Sequence, residues 1–377
     1  ARAAALNPSA AAAAQAVVAA RASRVQAGVR PVDQIEIGVE NPISTNGVLK
    51  DTELTAAIAR TFERGGKRAA RIAVAERDIE IAEARTIVQR LDFAAKIERA
   101  FVDALIADVQ VIAAASRLSI EQTLAAEAER RVRGFKDPLF VRTRSGARVS
   151  EAQIALARAE AVRDGAYVAL ASLIGADPES LNLDEAAFLV PPPIDARPLA
   201  SADLAVASAE LARAEAVIAL ERTRAVRDYT VRGGVKVTRE TNDVGLIAGV
   251  SFPLSPGRAN RGNVERAVAD RERLRLETDA IQRDRLRQIA ALRAQAEAAR
   301  VEARAIDRDV LPRLQRALSE VREGYNRGGF TFADIQDQAR ALFEARARMV
   351  EALIRHHETR VELDRLTGRF ANLETVR

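Results

Sequence analysis

From Gly66 to Arg131 no proline and no internal glycine interrupts the chain, and apolar residues recur at Ile72, Ile79, Ile87, Leu91, Ile97, Phe101, Leu105, Val109 and Ile112. Gaps mostly of four, seven and eight keep these side chains on one face of an α-helix. At 1.5 Å per residue, the run of about 65 residues makes a helix roughly 100 Å long. The pattern returns over 259–322, with Leu311, Leu314, Leu318 and Val321 near its end and Pro312 expected to kink it. Shorter helical runs follow each long one, over 138–174 and 331–367. Long helices paired through short turns predict antiparallel coiled-coil hairpins. Two more helices are expected at 2–28, ended by Gly28 with Pro31 beyond, and at 201–227.

Between these helices the period changes from helical to alternating. Ile35, Ile37 and Val39 fall on one face of a strand over 32–41, and Leu54, Ala56 and Ile58 on one face of a strand over 53–63. The turn residues of Pro42 to Lys50 join them as a hairpin with a long loop. A second pair lies at 229–239 and 244–254, with Tyr229, Val231, Val235 and Val237 opposed to Arg232, Lys236 and Thr238, and Leu246, Ala248, Val250, Phe252 and Leu254 sharing a face. Two settings fit such strands equally: a soluble antiparallel sheet and a membrane β-barrel.

The same punctuation occurs twice. Leu173-Ile174-Gly175 and Leu366-Thr367-Gly368 end apolar helical runs at an offset of about 193 residues. That offset carries Gly65-Gly66 to within a residue of Gly257, and Ile35–Asn41 onto Asp228–Gly234. Residues 1–190 and 191–377 are therefore expected to be two copies of one unit, with β segments at 32–63 and 229–255. The linker is Gly175-Ala176-Asp177-Pro178 followed by Pro191-Pro192-Pro193, whose polyproline predicts an extended course.

Composition narrows what these elements can do. Alanine dominates the apolar fraction and lets thin helices approach closely, which fits layered helices rather than a thick core. The +5 charge comes from 58 basic and 53 acidic side chains interleaved along the helices, so no basic patch for nucleic acid stands out. No run reaches the 18 apolar residues of a transmembrane helix. Cysteine is absent, which removes disulfides, thiolate metal sites and Cys nucleophiles. The sequence opens at Ala1 with no charged-then-apolar leader, so any export signal or lipid anchor is expected to lie outside it.

Several segments carry a family resemblance: Gly324–Asp337, Leu342–Arg346 and Leu363–Gly368, together with Phe62–Arg68 and Phe252–Leu254. In order and spacing they resemble the TolC-like outer membrane efflux proteins, the outer membrane factors, and within them the heavy-metal efflux branch. The resemblance covers nearly the whole chain. It implies a mainly α fold with membrane β: long helical hairpins forming a periplasmic α-barrel, and four strands per chain entering a trimeric twelve-stranded outer membrane β-barrel. It also implies a passive exit duct of a tripartite pump, exporting heavy-metal cations. The implied partners are two further copies of the chain, a periplasmic adaptor (membrane fusion) protein, an inner membrane RND pump and outer membrane lipid. No cofactor is expected. The departure is in the girdles, since the chain has three tyrosines and no tryptophan; Phe62, Tyr229 and Phe252 are the aromatics near strand ends.

The turn of the second hairpin holds the candidate site. Asp334 and Asp337 lie three apart, hence on one helix face. The resemblance places them as rings at the pore aperture; the alternative is a favourable charge at a helix N-terminus on a solvated face. Tyr325 matches a tyrosine that helps lock the closed entrance in relatives, whereas Phe330 stands where the family pattern has an arginine. Arg142, Arg144 and Arg148 are candidates to complete the gate, against the alternative of exposed basic residues of a mobile turn. The apolar first turn, with Gly134, Phe135, Leu139 and Phe140, and the second, with Gly328, Gly329 and Phe330, are candidate adaptor contacts. Packing between neighbouring hairpins is the other explanation for them.

His356 and His357 are the only histidines, and adjacent helical positions about 100° apart cannot form an i,i+4 metal pair. A surface location is expected for both, and no metal site. No nucleophile with a base and no phosphate loop is present, so an enzyme is not expected. A soluble coiled-coil scaffold with small β-tips is the competing reading.

Overall fold

The computed structural model describes residues 8–44, 47–48, 52–184, 186–194, 202–254 and 256–369. The elements in order are α1 (Pro8–Ala27), β1 (Gln34–Glu40), β2 (Ile43–Ser44), β3 (Gly47–Val48), β4 (Glu53–Phe62), α2 (Lys67–Arg133), α3 (Leu139–Ile174), α4 (Ala186–Leu189), α5 (Ala202–Arg224), β5 (Tyr229–Thr238), β6 (Asp243–Ser251), α6 (Pro256–Ala305), α7 (Leu311–Arg327) and α8 (Phe332–Leu366). Parts of three expected segments lie outside the described residues: 2–7 of the first helix, Ser201, and most of the loop after Ser44. What is described of that loop is a two-residue ladder, Ile43 with Val48 and Ser44 with Gly47.

Two compact units are present, and each draws on both halves of the sequence. The unit of residues 11–88 and 202–282 contains the sheet, whose strand order is β1-β4-β5-β6, all antiparallel. The two expected hairpins are thus joined through β4 and β5, ten residues in register from Glu53↔Thr238 to Phe62↔Tyr229. This register aligns every apolar set on one face. Ile35, Ile37 and Val39 pair with Ile58, Ala56 and Leu54, and the row continues through Val235, Val237, Val244, Leu246 and Val250. Apart from the half-buried Val237 these side chains are exposed, Leu246 at 88%. Phe62 and Tyr229 stack on that face with ring centroids 5.2 Å apart and planes 15° from parallel.

The opposite face is polar and cross-linked. Arg232 reaches Glu36 at 3.6 Å, Lys236 reaches Glu40 at 3.6 Å and pairs with Glu53, and the Thr61 and Thr230 hydroxyls meet at 2.9 Å. These long side chains of β1 and β5 bridge across β4; beneath the Arg232–Glu36 bridge β4 offers Ala57 and Ala59, both buried, and Thr55 lies opposite Lys236. Gly234 is part of the same device, because a Cβ there would fall 2.2 Å from the Ala56 carbonyl and 2.6 Å from Ala57 Cα. At the junction with the helices, Asp228 accepts from the Arg64 amide at 2.9 Å and from Lys67 Nζ at 2.6 Å, fixing the exit of β4 against the start of β5.

The unit of residues 1–10, 89–201 and 283–377 is built, among its described residues, from helices. Its main core gathers Leu124, Ala128, Val141, Leu311, Leu318, Tyr325, Ile335, Ala339, Leu342 and Ala345 from α2, α3, α7 and α8. Alanines at these contacts let the backbones approach. The kink expected at Pro312 takes the form of a π-helical turn over Ile306–Val310, closed by the Leu311 amide on the Ile306 carbonyl. The wider turn accommodates a proline that has no amide to give and would clash with a regular helix.

Two expectations are corrected here. The histidines are buried rather than on the surface: His356 Nδ1 donates to the Ala296 carbonyl at 2.9 Å and His357 Nε2 to the Phe188 carbonyl at 2.9 Å. Neutral imidazoles are tolerated inside because each ring N–H finds a carbonyl. Burial pushes the pKa of His357 down to about 4. The linker is likewise not simply extended, since it contains a 3₁₀ turn at Pro178–Ser180 and the short α4. Phe188 of α4 is fully buried and stacks on His357 with centroids 4.6 Å apart, which pins the segment to α8.

Gly234→Ala is expected to destabilise the sheet by about 1–3 kcal/mol or more by forcing β4 and β5 apart. Gly233→Ala, whose nearest neighbour would be the Ile247 carbonyl at 4.0 Å, is expected to be tolerated. Equal thermal midpoints for the two variants would refute the close β4–β5 approach.

Candidate functional site: the two hairpin turns

The turn between α7 and α8 is closed by glycine and by a capping box. Gly328 ends α7 at φ 93°, and the Gly329 amide reaches the Gly324 carbonyl at 2.8 Å. Phe330 folds back over Gly324, where a Cβ would lie 2.3 Å from the ring. Its place in the turn is therefore matched by a glycine six residues earlier. Thr331 caps α8: its amide donates to Asp334 Oδ2 at 2.7 Å, and the Asp334 amide donates to its hydroxyl at 3.3 Å. The Thr331 amide and hydroxyl hold the Asp334 carboxyl below the usual carboxylate range. Asp334 and Asp337 both lie on the exposed face of α8, while Ile335, Gln336 and Ala339 face the core.

The turn between α2 and α3 runs through Gly134 and Phe135. Phe135 holds a left-handed backbone at φ 58° and is 99% exposed. Leu139 and Phe140, in the first turn of α3, are also exposed, whereas Val141 is buried. Four large apolar side chains at two turns, counting Phe330, are thus left in solvent.

A buried polar cluster binds the two turns together. Tyr325 is 0% exposed. Its hydroxyl donates to Asp137 Oδ2, and its carbonyl accepts from Arg131 Nη1. The Arg131 guanidinium also grips Asp137 with Nε at 3.0 Å and Nη2 at 3.1 Å and lies 4.2 Å from the centre of the Tyr325 ring. Arg131 hydrogen bonds depress the Asp137 pKa, while burial and the Asp137 carboxylate push the tyrosine upward. One helical turn further in, Arg322 meets the buried Glu127 at 2.6 Å.

Of the residues singled out from sequence, Tyr325 is in this cluster. Arg142 instead pairs with Glu129 at 3.3 Å, Arg148 with Glu151 at 3.4 Å, and Arg144 is exposed. Arg131 and Asp137, which hold Tyr325, escaped sequence reading. Asp137 is 188 residues away from Tyr325, and the Asp-Pro at the head of a helix reads as ordinary turn chemistry. Among the described residues no group of three or more His, Asp or Glu side chains is placed to hold a metal ion.

A sheet whose one face is exposed and apolar except for the Arg60–Asp33 pair and whose other face is charged, in a chain that also forms long helical hairpins, is the pattern of outer membrane channel proteins. The crystal structure of CusC, described with its transmembrane channel formation, shares the fold with TM-score 0.80 at 15% identity, over 97% of this chain and 90% of that one. The cobalt-zinc-cadmium resistance protein CzcC of Cupriavidus metallidurans is 32% identical over 84% of this chain and 77% of its own length. The nickel-cobalt-cadmium resistance protein NccC of Alcaligenes xylosoxydans xylosoxydans is 27% identical over 66% of this chain and 59% of its own. The outer membrane efflux protein family matches at residues 199–369. The chain belongs to the outer membrane efflux protein family, and its place is the outer membrane of a Gram-negative cell, reaching into the periplasm.

Asp137→Asn is expected to destabilise the helical unit by about 1–3 kcal/mol, because it leaves the Arg131 charge without its counter-ion. The sign with pH follows from the depressed carboxyl. Its contribution is complete above the unfolded value of about 3.9 and is lost as pH falls through the lower folded value. Thermal midpoints of the wild type and the variant should therefore differ by a constant amount from pH 8 to pH 5 and converge in stronger acid. A gap that closes between pH 8 and pH 5 would exclude Asp137 as its origin.

Proposed function

We propose that three copies of this chain close one barrel and act as the passive exit duct of a tripartite efflux system that carries heavy-metal cations. The observation that carries this reading is the two-faced sheet with β1 and β6 each paired on one side only. In hydrocarbon each unsatisfied backbone group costs several kcal/mol, so such edges require neighbours. Closure with other copies places the apolar row toward lipid and the Glu36–Arg232 and Glu40–Lys236–Glu53 ladder toward an aqueous lumen. Conduction through that lumen involves no chemical step.

The metal cargo is supported by the names of the cobalt-zinc-cadmium and nickel-cobalt-cadmium resistance relatives. Asp334 and Asp337 suit it, since threefold repetition would set six exposed carboxylates around one aperture and draw in cations. The exposed Phe135, Leu139, Phe140 and Phe330, presented by Gly134, Gly328 and Gly329, suit docking of a periplasmic adaptor that links the duct to an inner membrane RND pump. Tyr325, locked to Asp137 and Arg131, is the fixed part of the gate. Arg142 and Arg144, on the exposed side of α3, are its part toward a neighbouring chain.

The test is single-channel recording on the full-length protein in planar bilayers. The wild type is expected to conduct and to be blocked by a trivalent cation added from the periplasmic side. Asp334→Asn with Asp337→Asn keeps an acceptor for the Thr331 cap while removing the charge, and is expected to raise the half-blocking concentration more than about tenfold. Absence of conductance from a well-dispersed protein without detergent would overturn the duct. Unchanged block in the double variant would remove the two aspartates from the aperture.

Tyr325→Phe with Arg142→Ala and Arg144→Ala is expected to raise resting conductance without loss of assembly. Hydrogen bonds worth about 0.5–1.5 kcal/mol each hold such an entrance, and their removal shifts its population toward open. Wild-type resting conductance would discount these side chains as a gate.

A further inference from the structure

Where α1 runs into β1 and β4 runs out toward α2, the chain forms a cleft of about 740 Å³ lined by Val29–Asp33, Arg60–Glu63 and Arg68. Its charges are unequally matched. Arg60 holds Asp33 through two bonds, at 2.8 and 2.5 Å, and Glu63 is held by Arg71, which also reaches the Ala27 and Val29 carbonyls at 3.3 and 3.2 Å. Arg30 and Arg68 are exposed and make no ion pair among the described residues. The rest of the wall is Thr61, Pro31 and three apolar side chains, Val29, Val32 and Phe62, that are all exposed.

The position of the cleft identifies its ligand. Phe62 and Arg60 both belong to the apolar face of the sheet, at the end of β4 that joins the helices, and Phe62 stacks there on Tyr229. Aromatic side chains closing an apolar membrane face mark the depth of the lipid headgroups. Two guanidiniums without an ion pair at that depth, beside Phe62 of the apolar row and the exposed Val29 and Val32, match a phosphate with an acyl chain attached. The planar guanidinium fork binds phosphate oxygens in pairs. An acidic protein segment would have no use for the apolar wall. Resting on the duct reading, we infer that this cleft binds the headgroup phosphate of an anionic glycerophospholipid in the periplasmic leaflet, with Arg30 and Arg68 as its ligands.

The experiment is native mass spectrometry of the assembled full-length protein in detergent, titrated with dioleoylphosphatidylglycerol, dioleoylphosphatidylcholine or inorganic phosphate. Wild-type protein is expected to retain phosphatidylglycerol in preference to phosphatidylcholine, and millimolar phosphate is expected not to displace it. Arg30→Gln with Arg68→Gln is expected to weaken phosphatidylglycerol binding about thirty-fold, from two cationic contacts with a lipid surface. Arg261→Gln, an exposed cation elsewhere on α6, should leave it unchanged.

Because Arg30 and Arg68 support no ion pair, the double variant is expected to assemble and conduct like the wild type. Equal lipid binding by the double variant, equal binding of the two lipids, or displacement by free phosphate would each overturn the inference. So would protection of the cleft by a neighbouring chain in lipid-free assemblies, since β1 is an edge strand. A protein that conducts but fails these tests loses only the lipid site; a protein that never enters a bilayer loses the duct reading as well.

Discussion

The register between β4 and β5 is the constraint on which the sheet depends. Side chains alternate along a strand, so a slip of one residue would move Leu54, Ala56 and Ile58 onto the charged face and Glu53 onto the apolar one. Gly234 enforces the register by tolerating a backbone approach that no side chain would allow. The buried Ala57 and Ala59 reinforce it by leaving room for Arg232 to cross β4 and reach Glu36 of β1. Both faces of the sheet, the one suited to lipid and the one suited to water, follow from that single pairing.

The helical unit solves a different problem with the same small residues. Its core is assembled from alanine and leucine contacts spread along helices, with few large side chains fully buried. Such a core is locally thin, and polar groups do part of the anchoring. The His357–Phe188 stack pins the linker segment, and the Tyr325–Asp137–Arg131 cluster joins two turns that are otherwise solvent-exposed. A polar cluster of this kind is strong while complete and costly once one member is lost, because the remaining groups are left buried without partners. That property suits a contact that holds the two turns in one fixed arrangement.

Function in this chain is a matter of surfaces. The exposed apolar turns, the carboxylates on the exposed face of α8 and the cationic cleft beside Phe62 are the surfaces through which the proposed duct would meet another protein, a cation and a lipid. The neutral imidazoles of His356 and His357 have a structural part, each donating to a main-chain carbonyl inside the core.

Local pattern alone determined the helices, the strands and their faces, since periods of 3.6 and 2 are written directly in residues such as Leu105 and Val109 or Ile35 and Ile37. The family resemblance was legible too, because its turn segment around Gly328–Thr331 is a local structure fixed by a glycine cap and a capping box. Partners distant in the chain were not legible. Nothing near Tyr325 announces Asp137, nothing near His357 announces the Phe188 carbonyl, and nothing in β4 announces that it pairs with β5 as well as β1. Only the tertiary structure decided these, because hydrogen bonds and burial depend on which surfaces meet, and that is settled by the packing of the whole chain rather than by any segment of it.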